Sequence, residues 1–377
     1  MPKVFMTTSV VRVLALSSSE TIRKGGLADC TAAWRLLSVI ALGASQIIET
    51  HYPQLLDLAQ KGVLAAVQRP TDYSERRTDG YREPELVFVV GTAHFSDQSA
   101  DDVVRVIEAV QPENVVLEVC RSRAAVMYDA PAKPAGPSGR GQGPNDMSLS
   151  GPNFAAALLR SARLGGNTAM LLRAVLSAQA DRVSAALGTR SGVEMRAGRR
   201  AAERAGAQIV LGDRPIEITL QRAWASLSWR QRFQLLSALW QSQGQAADIS
   251  AEAVEAMKDD DVISSVLAEY SANFPEVVGP LLHERDMYLA WSLKRSKAVN
   301  GSGRVVGVVG KGHLRGVLYH LVTPGSSGNL RFRDLVGGKN VRLSRGERLR
   351  AAGKRLALDA LIAGGCYAAW TTAFPPG

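Results

Sequence analysis

Four side chains suited to metal binding or proton transfer stand at the ends of short apolar runs in this sequence. They are His94, Glu118, Asp213 and His313. Imidazole nitrogens and carboxylate oxygens are common ligands of Zn²⁺ and related divalent ions, and they are also frequent proton carriers in hydrolysis. The pattern therefore indicates a metal site or an acid–base site, provided that the fold brings the four side chains together.

Some of these residues also have a purely structural explanation. A histidine that follows a strand is often a hydrogen-bonded loop residue. Asp213 lies two residues before Pro215 and could cap a helix that begins near Ile216. The sequence alone leaves both explanations open.

Glu118 is harder to explain as a surface residue. It lies inside the run Val-Val-Leu-Glu-Val, and burying an unpaired carboxylate is costly. We therefore expect a metal ion, several hydrogen-bond donors or an arginine beside it. The arginines considered as partners are Arg121, Arg123 and Arg214.

The elements that must position these side chains are four apolar runs, which we predict to be strands. The runs are Leu86–Val90, Val115–Val119, Gln208–Leu211 and Arg304–Val309. Such nearly continuous runs are typical of strands covered on both faces of a parallel sheet. Helical spacing of apolar residues over Asp97–Val110 predicts a right-handed βαβ unit between the first two. Because sites in such sheets form at the carboxyl ends of the strands, neighbouring strands would place the four side chains on one edge.

The rest of the chain is predicted to be mainly helical. The fold class is therefore α/β, with a mostly parallel sheet flanked by helices, a large helical insertion and a C-terminal apolar tail. Residues 129–153 hold five prolines and five glycines, which predicts a mobile loop. The predicted divisions are a candidate targeting segment at 1–30, a helical region at 31–84, the α/β domain at 85–338, a basic linker at 339–355 and a candidate tail anchor at 356–377.

The positive charge is concentrated near the end of the chain. The formal net charge is +10, and residues 339–355 carry seven Lys/Arg against one Glu. This basic stretch precedes the apolar run Ala360–Phe374, which favours a membrane surface over nucleic acid as the partner. The run is shorter than the roughly 20 residues of a full span, so an amphipathic helix packed on the domain is the alternative.

Composition excludes several other classes of protein. At 46% hydrophobic and 21% charged residues, the chain is neither wholly disordered nor fibrous. Its three cysteines lie far apart without CxxC spacing, which argues against a disulfide scaffold or a cysteine-type zinc site. Residues 1–30 are basic and rich in Ser and Thr, which fits an organellar transit segment or a frayed terminus.

A cluster of alternating charges lies on a helix predicted over Leu282–Tyr288. Such alternation usually marks a solvated face. The alternative is that Glu284 and Arg285 reach the edge of the sheet and support the site residues there.

Five ordered motifs in this chain resemble those of the TraB/PrgY (pheromone-shutdown) family, over about Glu85 to His320. The motifs are Gly91–Ser96, Leu117–Arg123, Gly212–Pro215, Glu284–Asp286 and Val308–Gly316. The resemblance implies kinship with Tiki-type membrane-anchored metalloproteases and an erythromycin-esterase/ChaN-like α/β fold. Eukaryotic members with a basic stretch and an apolar tail are associated with the outer mitochondrial membrane or with plastids, and the same location is implied here.

The resemblance also implies a site built from two Gly-x-x-His motifs and a glutamate. Carried over, the metal ligands are His94, Glu118 and His313. Independently of the resemblance, the glycines before each histidine allow a sharp turn and leave room for a bound group; the candidate cofactor-binding glycines are Gly91, Gly310 and Gly312.

The resulting hypothesis is a divalent-metal-dependent hydrolase that acts on a peptide, with Mn, Co and Zn not distinguished by the sequence. Asp213 or Glu284 would act as general base. Three arginines would bind a substrate carboxylate or the developing oxyanion; they are Arg121, Arg214 and Arg222. The alternative is a non-catalytic adaptor that binds a peptide or protein partner at an organelle outer membrane.

Overall fold

The computed structural model describes residues 46–68, 84–92, 97–128, 192–232, 234, 275–296, 303–323 and 332–336. The chain divides into two compact units, Met1–Phe332 and Arg333–Gly377, and the sheet belongs to the first. The candidate targeting segment, the Pro/Gly-rich loop, the basic linker and the apolar tail all lie outside the described residues.

Five strands form a single mixed sheet in the described part of the chain. They are β1 (Leu64–Gln68), β2 (Leu86–Thr92), β3 (Asn114–Leu117), β4 (Gln208–Leu211) and β5 (Arg304–Gly310). Their order across the sheet is β1-β2-β5-β3-β4, and every neighbouring pair is parallel except β1 with β2. All four predicted strands are present, with ends within two residues of those predicted, and the α/β class is confirmed.

Strand β1 corrects the prediction of a helical region over residues 31–84. Residues 46–51 are helical, a 3₁₀ turn covers Pro53–Leu55, and α1 covers Leu56–Gln60. Gly62, with φ of +70°, then ends α1: its N–H bonds to Ala59 O at 3.0 Å and the next N–H to Leu58 O at 3.0 Å. This glycine-dependent stop was the overlooked signal, and pairing with β2 overrides the helix propensity of the alanines that follow.

Helices cover both faces of the sheet. The helices described after α1 are α2 (Asp97–Val110), α3 (Val193–Arg204), α4 (Ile216–Ser226), α5 (Pro275–Val278), α6 (Glu284–Arg295), α7 (Lys311–Val322) and α8 (Phe332–Val336), with a π-helical turn at Gly279–His283 between α5 and α6. Side chains of α2 and α3 share one core cluster with the sheet, and those of α6 and α7 share a second. The predicted helices at Asp97–Val110 and from Ile216 are confirmed.

Strand β5 shows why the strand sequences are continuous apolar runs without polar alternation. Val306 and Val308 face the α2 and α3 side, whereas Val305 and Val309 face the α6 and α7 side. Between them, Gly307 lets α6 approach closely, because a Cβ there would lie 2.8 Å from Leu293 Cδ2. A strand buried on both faces has no polar side to alternate with.

The carboxyl ends of the four parallel strands meet at one edge of the sheet. Thr92 pairs with Gly310, and Leu117 pairs with both Val308 and Leu211. The shared edge expected from the sequence is therefore present, and β5 lies between the two strands of the predicted βαβ unit.

Candidate functional site

Glu118 is the first residue after β3 and is buried. Arg285 donates a hydrogen bond to its Oε1, and the Gly310 N–H donates to its Oε2 at 2.6 Å. Because α7 begins directly after Gly310, the carboxylate also lies at the positive end of a helix. The expectation that an arginine or several donors lie beside the Glu118 carboxylate is confirmed, but the arginine is Arg285. Among the arginines considered, Arg123 donates a hydrogen bond to the backbone carbonyl of Glu118, at 3.2 Å.

Asp213 shares Arg285 with Glu118. Arg285 Nε lies 3.1 Å from Asp213 Oδ1, and Arg123 Nη2 lies 2.7 Å from Oδ2. Burial alone would lower the pKa of Arg285, but the carboxylates of Asp213 and Glu118 outweigh it and raise that pKa. Asp213 does not cap α4, whose N-cap is Pro215 and has no side-chain cap bond. Arg285 therefore joins the ends of β3 and β4 as a permanently charged bridge.

His313 lies in the first turn of α7, so its description as a loop residue is wrong. The side chain is buried. Its Nδ1 lies 2.6 Å from Asp286 Oδ1, and its Nε2 lies 3.4 Å from Glu118 Oε1. Burial raises the pKa of Asp286, and His313 offsets only part of that rise. Two of the three predicted metal ligands thus come together, with a second carboxylate behind the ring.

Glu284 is held between two arginines. Arg214 Nη1 lies 2.6 Å from its Oε2, and Arg222 contacts both carboxylate oxygens at 2.5 Å. Burial raises the pKa of Glu284, but Arg222 and Arg214 outweigh burial and hold the pKa below its ordinary value. Arg214, which is fully buried, also bonds Thr219 Oγ1 at 3.0 Å and Pro280 O at 2.7 Å. These contacts favour mutual positioning over the base and anion-binding roles expected for the three charged residues.

Three consecutive residues of α6 reach three different elements. Glu284 contacts arginines at α4 and the end of β4, Arg285 contacts the acids after β3 and β4, and Asp286 contacts His313 on α7. The expectation of a solvated face is wrong for this segment, because Glu284 and Asp286 are buried. The alternative, in which Glu284 and Arg285 reach the sheet edge, is what the structure shows. The preceding π turn sets this register, and such turns are frequent at functional sites.

The predicted glycines differ in their surroundings. Gly310 donates to Glu118, as described above. At Gly91, a Cβ would lie 3.0 Å from Leu314 Cδ2, so this glycine permits close packing of β2 on α7. Gly312 is exposed and faces open space. Arg121 is also exposed, and His94 lies outside the described residues.

Asp286 and Tyr288 were not predicted as site residues. Asp286 is part of the motif Glu284–Asp286, but nothing in the sequence indicated that its side chain is buried. Burial raises the pKa of Tyr288, and the nearby Asp213 and Cys120 raise it further. For Asp286 the available signal was the charged alternation over Leu282–Tyr288.

The donor set fits a metal ion in part. Within the described ranges, no group of three or more His, Cys, Asp or Glu side chains is arranged to hold one. Glu118 and His313 face each other, and Asp286 backs the imidazole, which is the usual carboxylate–histidine support of a metal ligand. The third predicted ligand, His94, stays a prediction.

The fold is an α/β sheet with helices on both faces. A buried cluster of acids, an imidazole and guanidinium groups lies at the carboxyl ends of its strands. A model of the TraB/PrgY/gumN family matches residues 78–325, which include four of the five strands and the whole cluster. The chain belongs to the TraB/PrgY/gumN family, as the five motifs predicted.

Individual relatives agree with this assignment. The chain is 33% identical to the human TraB domain-containing protein over 245 residues, which cover 61% of each chain. It is 32% identical to the mouse protein of the same name. An uncharacterized protein of Methanocaldococcus jannaschii is 23% identical over 252 residues, which cover 66% of this chain and 57% of that one. The matches thus span about three fifths of the length of these relatives.

Proposed function

We propose that this protein is a divalent-metal-dependent hydrolase that acts on a peptide. The observation that carries the proposal is the approach of His313 Nε2 to Glu118 Oε1, at 3.4 Å, with Asp286 behind the ring. Both groups lie at the carboxyl edge of parallel strands, where α/β proteins bind ligands. In this proposal His94, which the resemblance of the motifs implies as a ligand, is the third.

The residues of the cluster have separate tasks in this proposal. Glu118, His313 and His94 would hold the ion, which when bound would polarise a peptide carbonyl and activate a water molecule; Mn, Co and Zn all suit this donor set. Arg285 and the Gly310 N–H favour the ionised form of Glu118, and a carboxylate must be ionised to serve as a ligand.

Asp213 and Glu284 support the site in this proposal instead of accepting a proton. Each carboxylate contacts two guanidinium groups. The two arginines beside Glu284 hold its pKa below the ordinary value, which weakens it as a base. The Glu118–His313 pair is then the described part of the site that faces a substrate.

The proposal is tested by metal content and peptide hydrolysis of the purified full chain. After separate loading with Mn²⁺, Co²⁺ and Zn²⁺, we expect about one ion per chain and cleavage of unstructured peptides. His94→Ala and His313→Ala should each lower hydrolysis by more than about 100-fold, the upper effect seen for residues that only support a ligand.

His51→Ala is the matched control, because His51 is exposed and has no role in the site. It should retain metal binding and hydrolysis. A wild-type chain that stays free of metal and inert with all three ions would contradict the proposal.

The second candidate is a non-catalytic adaptor that binds a peptide or protein partner. The observation that favours it is that Arg285 and Gly310 already match the charge and hydrogen bonding of Glu118. In that case the cluster would fix the strand ends, and metal loading would change nothing. The inert outcome of the same experiment would support this candidate.

We further propose attachment to an organelle outer membrane, mitochondrial or plastid, through the basic linker and the apolar tail. Neither segment lies in the described residues, and within those residues no helix is both long and apolar enough to cross a bilayer. Deleting residues 356–377 should move the protein from the membrane pellet to the supernatant, because the apolar contribution to binding is removed.

Replacing the arginines of residues 339–355 by glutamine should weaken the attachment in a salt-dependent way, which separates charge from apolar insertion. Fractionation of cells that express each variant measures both effects. Membrane association that persists after the deletion would refute the anchor.

A further inference from the structure

We propose that Asp286 is a positioning residue that holds His313 as the Nδ1–H tautomer, and that Gly316 provides the space this requires. The inference rests on the proposed function, since it assigns the free Nε2 lone pair to the side facing Glu118. It gives a role to two residues that were not among the predicted site residues, although both lie within the motifs Glu284–Asp286 and Val308–Gly316.

The contact between Asp286 and His313 has the geometry of a short, buried hydrogen bond. Oδ1 lies 2.6 Å from Nδ1, and both residues are less than a tenth exposed. When Asp286 is ionised, its carboxylate can only accept a hydrogen bond, so the ring nitrogen next to it carries the proton. A neutral imidazole then has its lone pair on Nε2, which is the nitrogen 3.4 Å from Glu118 Oε1.

Gly316 explains how the carboxylate fits between the two helices. It lies three residues after His313 on α7, so the two share a face of the helix. A Cβ at residue 316 would lie 2.0 Å from Asp286 Oδ2, which is far below any van der Waals contact. Any side chain here would push the carboxylate away from the imidazole, so glycine is required by the position of Asp286 rather than by its own backbone.

The orientation matters because only one tautomer is useful. A histidine that binds a metal normally donates its other N–H to a carboxylate or carbonyl, which fixes both the tautomer and the ring plane. In serine proteases, changing the equivalent aspartate to asparagine leaves the geometry intact but stabilises the wrong tautomer and lowers kcat about 10⁴-fold. The same replacement at residue 286 offers an amide that can donate to Nδ1, which moves the ring proton to Nε2.

The experiment uses the full chain labelled with ¹⁵N-histidine, free of metal and at neutral pH. Two-bond ¹H–¹⁵N correlation spectra report which ring nitrogen carries the proton, and loss of one signal set in His313→Gln assigns His313. We expect the Nδ1–H tautomer in the wild type, the Nε2–H tautomer in Asp286→Asn and a loss of the pure Nδ1–H form in Gly316→Ala. Gly303→Ala is the control, because a Cβ there meets nothing within 4 Å, and it should match the wild type.

A second measurement is the Kd for Zn²⁺, obtained by competition with a chromophoric chelator. Asp286→Asn and Gly316→Ala should each weaken binding about 10- to 100-fold, the range for residues that support a metal ligand. Asparagine has nearly the same shape as aspartate, so Asp286→Asn is expected to fold. This variant therefore still tests the inference if Gly316→Ala does not fold.

The two proposals fail in different ways. A wild-type His313 that carries its proton on Nε2 or on both nitrogens would overturn this inference, as would an unchanged tautomer in Asp286→Asn. A wild-type chain with the expected tautomer but no affinity for Zn²⁺ would leave the inference standing and count against a zinc hydrolase.

Discussion

Arg285→Met should lower the free energy of unfolding by about 3–5 kcal/mol, the usual loss when one partner of a buried ion pair is removed. Arg285 contacts both Glu118 and Asp213, and both acids are at most 5% exposed. Arg123 would still pair with Asp213, so the main loss is the ion pair of Glu118. Methionine has a similar length, so the loss reflects charge more than volume. Urea unfolding at neutral pH measures the change.

Arg105→Met provides the matched control for this measurement. Arg105 forms an ion pair with Asp57 at 2.9 Å, but both side chains are more than two fifths exposed. An exposed pair of this kind contributes less than about 1 kcal/mol. Equal losses in the two variants would mean that Arg285 does not bridge buried acids.

Glu284→Gln should cost about 3–5 kcal/mol at neutral pH, because it leaves the fully buried Arg214 without its carboxylate. The effect should depend on pH. The folded-state pKa of Glu284 lies below its ordinary value of 4.5, so its contribution is complete above that pH and is lost as the pH falls through the folded-state pKa. The difference between wild type and variant should therefore shrink as the pH is lowered below 4.5. Urea unfolding across this range tests the sign.

Glu203→Gln serves as the comparison, because Glu203 is an exposed acid paired with Arg199 one helical turn away. Its removal should change stability little at neutral pH. A Glu284 difference that grew towards acid pH would show that the two arginines do not stabilise the charged carboxylate.

The strands and their shared edge could be predicted because strands buried on both faces keep a strong local signature. Gln208–Leu211 was predicted to the residue, and the burial of Glu118 followed from its apolar neighbours. Strand β1 could not be predicted in the same way. Its alanines favour a helix by themselves, and only the pairing of Leu64 with Val90 and the residues that follow decides otherwise.

The partner of Glu118 could not be predicted, because Arg285 lies 167 residues away in sequence. It also depends on the π turn before α6, since one extra residue in a turn rotates all following side chains by about 100°. Pro280 within that turn was a clue, because proline disturbs the regular hydrogen bonds of a helix. Which of three consecutive charged residues meets which strand end is thus set by a local irregularity that no periodic pattern reveals.

The central place of β5 has a consequence for how the protein is made. This strand is the last of the five described strands along the chain but lies between β2 and β3, and Thr92 Oγ1 donates a hydrogen bond to Val309 O across 217 residues. Pairings between such distant segments slow folding, because the entropy of closing a long loop is lost before any stabilising contact forms. During translation, β2 and β3 lack their shared neighbour until β5 has left the ribosome. Nascent chains of this protein therefore have a long interval in which unpaired strand edges are available to chaperones.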